Sequence, residues 1–84
     1  MPPKKSKPKK PIERKLLLKY FGARLKELRE KRKMSGEELG EMVEMNRQAI
    51  SRLEVGGANP SLEIISKLCW ALNVKIETFF RGFK

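Results

Sequence analysis

The sequence predicts an all-α domain of five short helices preceded by a basic, disordered tail, and three observations carry that expectation. Apolar residues recur at three- and four-residue steps in successive segments, the spacing that lines one face of a helix. Helix start signals stand before three of these segments: Ser35 with Glu38, then Asn46, then Asn59-Pro60. Two of the segments are separated by only a short turn, as in a helix-turn-helix unit. The 84 residues make at most one small domain. It is expected over residues 12–84, because residues 1–11 scatter Pro2, Pro3, Pro8 and Pro11 among lysines and cannot bury a core.

The first helix is expected from Ile12 to about Arg32, with Pro11 in its first turn and Leu17 or Leu18, Phe21, Leu25 and Leu28 facing inward. Met34 then packs, and Ser35 with Glu38 forms an S-x-x-E capping box that opens the second helix, whose inner face is Leu39, Met42 and Val43. Glu44, Met45 and Asn46 make the turn into the third helix. There Asn46 is a favoured N-cap and Gly56 suits the left-handed residue that closes a helix. Ile50 and Leu53, with Ala49, form its apolar stripe, and Arg47, Gln48, Ser51 and Arg52 occupy the rest of its surface. Those are donors and acceptors of the kind that reach base edges in a DNA major groove.

The fourth helix is expected to start with Asn59 as N-cap and Pro60 as first residue, to face inward with Leu62, Ile65, Leu68, Cys69 and Leu72, and to end at Asn73. Cys69 reads as a small core residue. Trp70 points well away from that stripe, so the N-terminal segment or another chain should cover it. Ile76, Phe79, Phe80 and Phe83 then form a short fifth helix with more apolar surface than one small core easily buries.

Twenty Lys and Arg against ten Asp and Glu give a formal net charge of +10, which points to a polyanionic partner: DNA, RNA or an anionic membrane. The membrane reading is poor, since no apolar run approaches the ~20 residues needed to span a bilayer and no signal-peptide pattern is present. A single cysteine excludes an internal disulfide framework and fits a reducing cytoplasm. With no histidine and no cysteine cluster, a zinc finger or a His-based catalytic centre is excluded. No metal, cofactor or small-molecule substrate is expected, and no enzyme. Charge changes sign locally: Glu37, Glu38, Glu41 and Glu44 crowd residues 35–45 with no cation among them. The tail lysines, Lys4, Lys5 and Lys7 among them, read equally as a solubilising segment or as an arm lying along DNA phosphates.

Several motifs together resemble the Cro/C1-type helix-turn-helix family, also called XRE, the group of lambda repressor and Cro. They are Phe21-Gly22 with Leu25, Leu28 and Arg29; Ser35-x-x-Glu38-Leu39; Ile50-Ser51-Arg52-Leu53-Glu54-x-Gly56; Pro60-Ser61-Leu62; and Leu68 with Ala71-Leu72-x-Val74. The resemblance spans about Phe21 to Phe80 and implies a lambda-repressor-like DNA-binding fold. It implies that Arg47, Gln48 and Arg52 reach bases of double-stranded DNA, with Ser51 a secondary candidate on the same side. Arg29 and Glu54 match positions that form a structural ion pair. Gly57, Ala58 and Asn59 match the loop that meets phosphate.

Three positions depart from the family pattern. Helix 2 usually begins with a glutamine that contacts phosphate and braces the recognition helix; here that position is Gly36. Glycine is usual where this chain has Lys33 and Glu44, so either each costs about 1–2 kcal/mol in a left-handed backbone or the turns have relaxed. Glu37 and Glu41 have two readings. Carboxylates near a helix N-terminus suit its dipole, while in lambda repressor carboxylates at these positions touch RNA polymerase, which makes the polymerase a further candidate partner.

The function expected is a sequence-specific transcriptional regulator acting as a homodimer on a palindromic operator, with Trp70, Phe80 and Phe83 as interface candidates or, alternatively, packed under the N-terminal segment. A protein-interaction module of the same fold, an antitoxin or a coactivator bridge, is the reading from another class. Non-specific nucleic-acid binding driven by the tail is the third.

Overall fold

Five helices appear in the computed structural model, which describes residues 10–82: α1 (Arg14–Lys31), α2 (Gly36–Met42), α3 (Arg47–Glu54), α4 (Leu62–Leu72) and α5 (Ile76–Phe80). Residues 1–9 of the expected tail, with Lys4, Lys5 and Lys7, and Phe83 lie outside the described residues. The all-α expectation holds over the described span, which contains no strand. The inner stripes of the helices converge on one core: Phe21, Leu25 and Leu28 from α1, Leu39 from α2 with Val43 just beyond it, Ile50 and Leu53 from α3, Ile65, Leu68, Ala71 and Leu72 from α4, and Phe79 from α5. Phe79 stacks on Phe21 with ring centroids 4.8 Å apart, and Phe80 tilts against the same ring at 6.2 Å. α1 is the central strut, packing on both α3 and α5.

Local chemistry sets the ends. Ser35 Oγ accepts from the Glu38 N–H at 3.0 Å while Glu38 Oε1 accepts from the Ser35 N–H at 2.8 Å, the reciprocal capping box. The Ser35 backbone N–H above all, and the Ser35 side chain after it, hold the Glu38 carboxyl below its ordinary range. Asn46 Oδ1 accepts from the Ala49 N–H at 2.7 Å and starts α3.

Four expectations need correction. α1 begins at Arg14, not Ile12, because Glu13 is the N-cap, non-helical at ψ 137°, and its carbonyl takes the first helical bond, from Leu17; Pro11 therefore precedes the helix. α4 begins two residues later than Asn59-Pro60 implies, since Ser61 is the cap, its Oγ accepting from the Ile64 N–H at 3.1 Å. Leu62, the first residue of α4, is 79% exposed and not part of the inner face: the buried arc is centred on Ile65, Leu68 and Leu72, and Ala71 joins it. Met42 is likewise exposed, because α2 buries the arc of Leu39, Gly40 and Val43, and at about 100° per residue Met42 falls just outside the edge of that arc. Cys69 is half-buried at the margin of the core, where partial burial pushes its thiol pKa up.

The helix exits share one geometry. After α1, α2 and α3, a left-handed residue (Lys33 at φ 55°, Glu44 at φ 59°, Gly56 at φ 78°) lets the next N–H reach back to the carbonyl of Arg29, Gly40 or Arg52. The turns at Lys33 and Glu44 have therefore kept the left-handed form that usually takes glycine. Lys33→Gly and Glu44→Gly should each raise stability by about 1 kcal/mol in urea denaturation, the L-residue strain being removed. A loss in both would show that the two side chains make compensating contacts.

Candidate nucleic-acid interface

The turn between α2 and α3 and the cap at Asn46 fix where α3 starts, and its apolar stripe fixes how it is rotated. Ile50 and Leu53 are buried and Ala49 is half-buried, so the remaining arc is turned outward. Arg47, Gln48, Ser51 and Arg52 are all exposed on that arc. Their side chains form no hydrogen bond or ion pair among the described residues. Four donor-bearing side chains with unused hydrogen-bonding capacity on one short helix are suited to an edge of stacked bases, where such groups find complementary donors and acceptors.

The far end of α3 is clamped. Arg29 Nε donates to Glu54 Oε2 at 2.6 Å and Nη2 to Glu54 Oε1 at 3.1 Å, a bidentate pair in which the two side chains are 14% and 9% exposed. Arg29 Nη1 also donates to the Met34 carbonyl at 2.7 Å. One guanidinium therefore ties the end of α1, the turn leading to α2 and the last residue of α3 together. The carboxylate hydrogen bond raises the guanidinium pKa further above its already high value, so Arg29 is charged at every accessible pH.

Gly22 brings the helices close enough for this clamp. A Cβ there would lie 2.3 Å from the Leu53 carbonyl oxygen and 2.5 Å from that of Glu54. At Gly36 a Cβ would meet only the Arg47 and Ile50 side chains, the nearest atom 3.6 Å away, so its lack of a side chain leaves an open notch beside Arg47.

In the loop after α3, the Gly56 N–H bonds Leu53 and the Gly57 N–H bonds Arg52 at 2.8 Å, both completing the helix exit. What Gly57 offers a phosphate is therefore close approach and not a free donor, while Ala58 is half-buried and Asn59 exposed. Glu37 and Glu41 are exposed on α2. Trp70 is 69% exposed and Ile76 51%, with no described residue covering either, whereas Phe80 is half-buried against Phe21 and serves the core. The dimer candidates are thus not equivalent: Trp70 is available, Phe80 largely is not, and Phe83 is outside the described residues.

Two groups were not legible as a pair in the sequence. Tyr20 Oη donates to the Arg81 carbonyl, and Arg24 Nη2 donates to both that oxygen and Tyr20 Oη at 2.9 Å, fastening the end of α5 to α1. Their i,i+4 spacing was readable; the backbone acceptor has no residue type and so no sequence signal. Among the described residues no group of three or more His, Cys, Asp or Glu side chains is placed to hold a metal ion. No helix among the described residues is long and apolar enough to cross a membrane.

Comparisons with known proteins bear on the family and the fold. A helix-turn-helix family model matches residues 25–79. An HTH-type transcriptional regulator of Archaeoglobus fulgidus is 44% identical over 57 residues, covering 68% of this chain and 80% of that protein. The crystal structure of the restriction-modification controller protein C.AhdI from Aeromonas hydrophila superposes with a TM-score of 0.73 at 36% identity, over 75% of this chain and 96% of that one. PlcR from Bacillus thuringiensis, solved in complex with the peptide PapR7 and DNA, superposes with a TM-score of 0.69 at 25% identity, over 77% of this chain and 23% of that one.

Proposed function

This chain belongs to the Cro/C1-type helix-turn-helix family of transcriptional regulators, and from that premise we propose that it binds DNA sequence-specifically as a homodimer on a palindromic operator, with α3 in the major groove. The observation that carries this reading is the division of α3: a buried stripe and a clamped end on one side, and Arg47, Gln48, Ser51 and Arg52 exposed and unpartnered among the described residues on the other. Arg47 or Arg52 donates two parallel bonds to guanine O6 and N7, and Gln48 pairs with adenine N6 and N7. Gly57, Ala58 and Asn59 meet the flanking phosphate, the first by close approach.

A helix of eight residues reads only a few base pairs, so two copies on neighbouring half-sites supply the length of a usable site. Trp70, a large apolar side chain left in water, supports a second copy as its cover. Selecting bound sequences from a random duplex pool should return a two-fold symmetric motif with half-site centres about 34–36 Å apart. Trp70→Glu should return a single half-site. A motif with no symmetry for the unaltered chain contradicts the dimer, and the absence of any enriched motif contradicts specific recognition altogether.

A further inference from the structure

The N-terminal half of α1 carries cations that the roles assigned so far leave unused. Arg14, Lys15 and Lys19 are exposed and none makes an ion pair among the described residues, whereas the carboxylate of Glu27 farther along the helix is paired with Arg24 and Lys31. Two of them have a defined direction. Steps of four and three residues place Lys15, Lys19 and Gly22 on one face of α1, and Gly22 is the residue pressed against the carbonyls that end α3. Lys19 is next to the exit of that helix: a Cβ at Gly56 would lie 3.1 Å from both its Cα and its N, and 3.2 Å from its Cγ. Leu17 and Leu18, between the two lysines, line a small crevice together with Asn59 and Pro60 of the loop after α3. Lys19 therefore stands beside Gly56, where α3 ends, and Lys15 lies one turn farther back on the same face of α1.

We propose that Lys15 and Lys19 form a second phosphate-contact track, gripping the DNA backbone beside the phosphate that meets the loop after α3. This inference rests on α3 lying in the major groove. A strand that touches the loop has its next phosphates within reach of two long, flexible ammonium side chains, which bind phosphate as point charges. The track adds affinity uniformly and reads no base. The competing role for Lys19 is to complement the negative end of the α3 dipole, which involves no DNA.

The test measures how the dissociation constant of the full chain varies with salt, on a duplex recovered by selection and on a random-sequence duplex. Lys15→Ala/Lys19→Ala should lower the log–log salt slope by about 1 for each lysine in every bound subunit, on both duplexes, and leave their affinity ratio unchanged. Lys15→Arg/Lys19→Arg should retain the slope, as should Lys31→Ala, whose ammonium lies 4.0 Å from Glu27. A wild-type slope in the double alanine variant overturns the track, and a lowered melting temperature with that unchanged slope assigns Lys19 to the dipole instead. A changed affinity ratio also overturns it, because the lysines would then be reading sequence. If the unaltered chain shows no preference between the duplexes, sequence-specific recognition fails, while the slope on random DNA still decides for or against the lysines.

Discussion

Glu54→Ala should lower the stability of the domain by about 3 kcal/mol or more, the cost of leaving a largely buried guanidinium without its carboxylate. The pair is bidentate at 2.6 and 3.1 Å and almost withdrawn from water, which separates it from exposed ion pairs that contribute about 0–1 kcal/mol. The loss falls on α3 in particular. Arg29 would keep its bond to the Met34 carbonyl but release the last turn of α3. Replacing both members with apolar residues, Arg29→Met/Glu54→Leu, should recover most of the stability, because no unpaired charge remains. Urea denaturation of the single and double variants gives both numbers, and a loss below about 1 kcal/mol for Glu54→Ala would place this pair with the surface bridges.

Gly22→Ala should also destabilise, by about 3 kcal/mol, although helix propensity alone predicts a gain of about 1 kcal/mol for the same change. The sign is decided by what the new methyl meets. Its neighbours at 2.3, 2.5 and 2.7 Å are backbone atoms of Leu53 and Glu54, which have no rotamer to escape into. α1 and α3 must move apart, and the Arg29–Glu54 clamp a few residues away is stretched with them. A melting temperature equal to or above that of the unaltered chain would mean that α1 and α3 are less closely packed than described.

These two residues also mark where the sequence stops being informative. α3 was legible almost to the residue, because its cap, stripe and exit are local: Asn46 reaches the Ala49 N–H and Gly56 takes the left-handed turn. The exposure of Arg47, Gln48, Ser51 and Arg52 followed from the same period. The meeting of Arg29 with Glu54 did not, since residues 25 positions apart on different helices share no local pattern; only the family resemblance pointed to it. At the start of α4 the expected Asn59-Pro60 start is displaced by Ser61, whose hydroxyl oxygen accepts from the Ile64 N–H. Met42 and Leu62 were placed inside on the three- and four-residue spacing of apolar residues, but both fall outside arcs that tertiary packing fixes. The ridge of Lys15 and Lys19 was visible only as charge until Gly22 and Gly56 showed which way that face of α1 points.

Base reading by α3, as proposed, is tested most directly by the ratio of affinities for a selected duplex and for random DNA. For the unaltered chain that ratio should be about 10³ or more at physiological salt. Arg47→Ala and Gln48→Ala should each reduce it by the equivalent of about 1–3 kcal/mol. Gln48→Ala, which removes no charge, should leave random binding unchanged. A ratio near one, or a large ratio that neither substitution reduces, would contradict base reading by this helix.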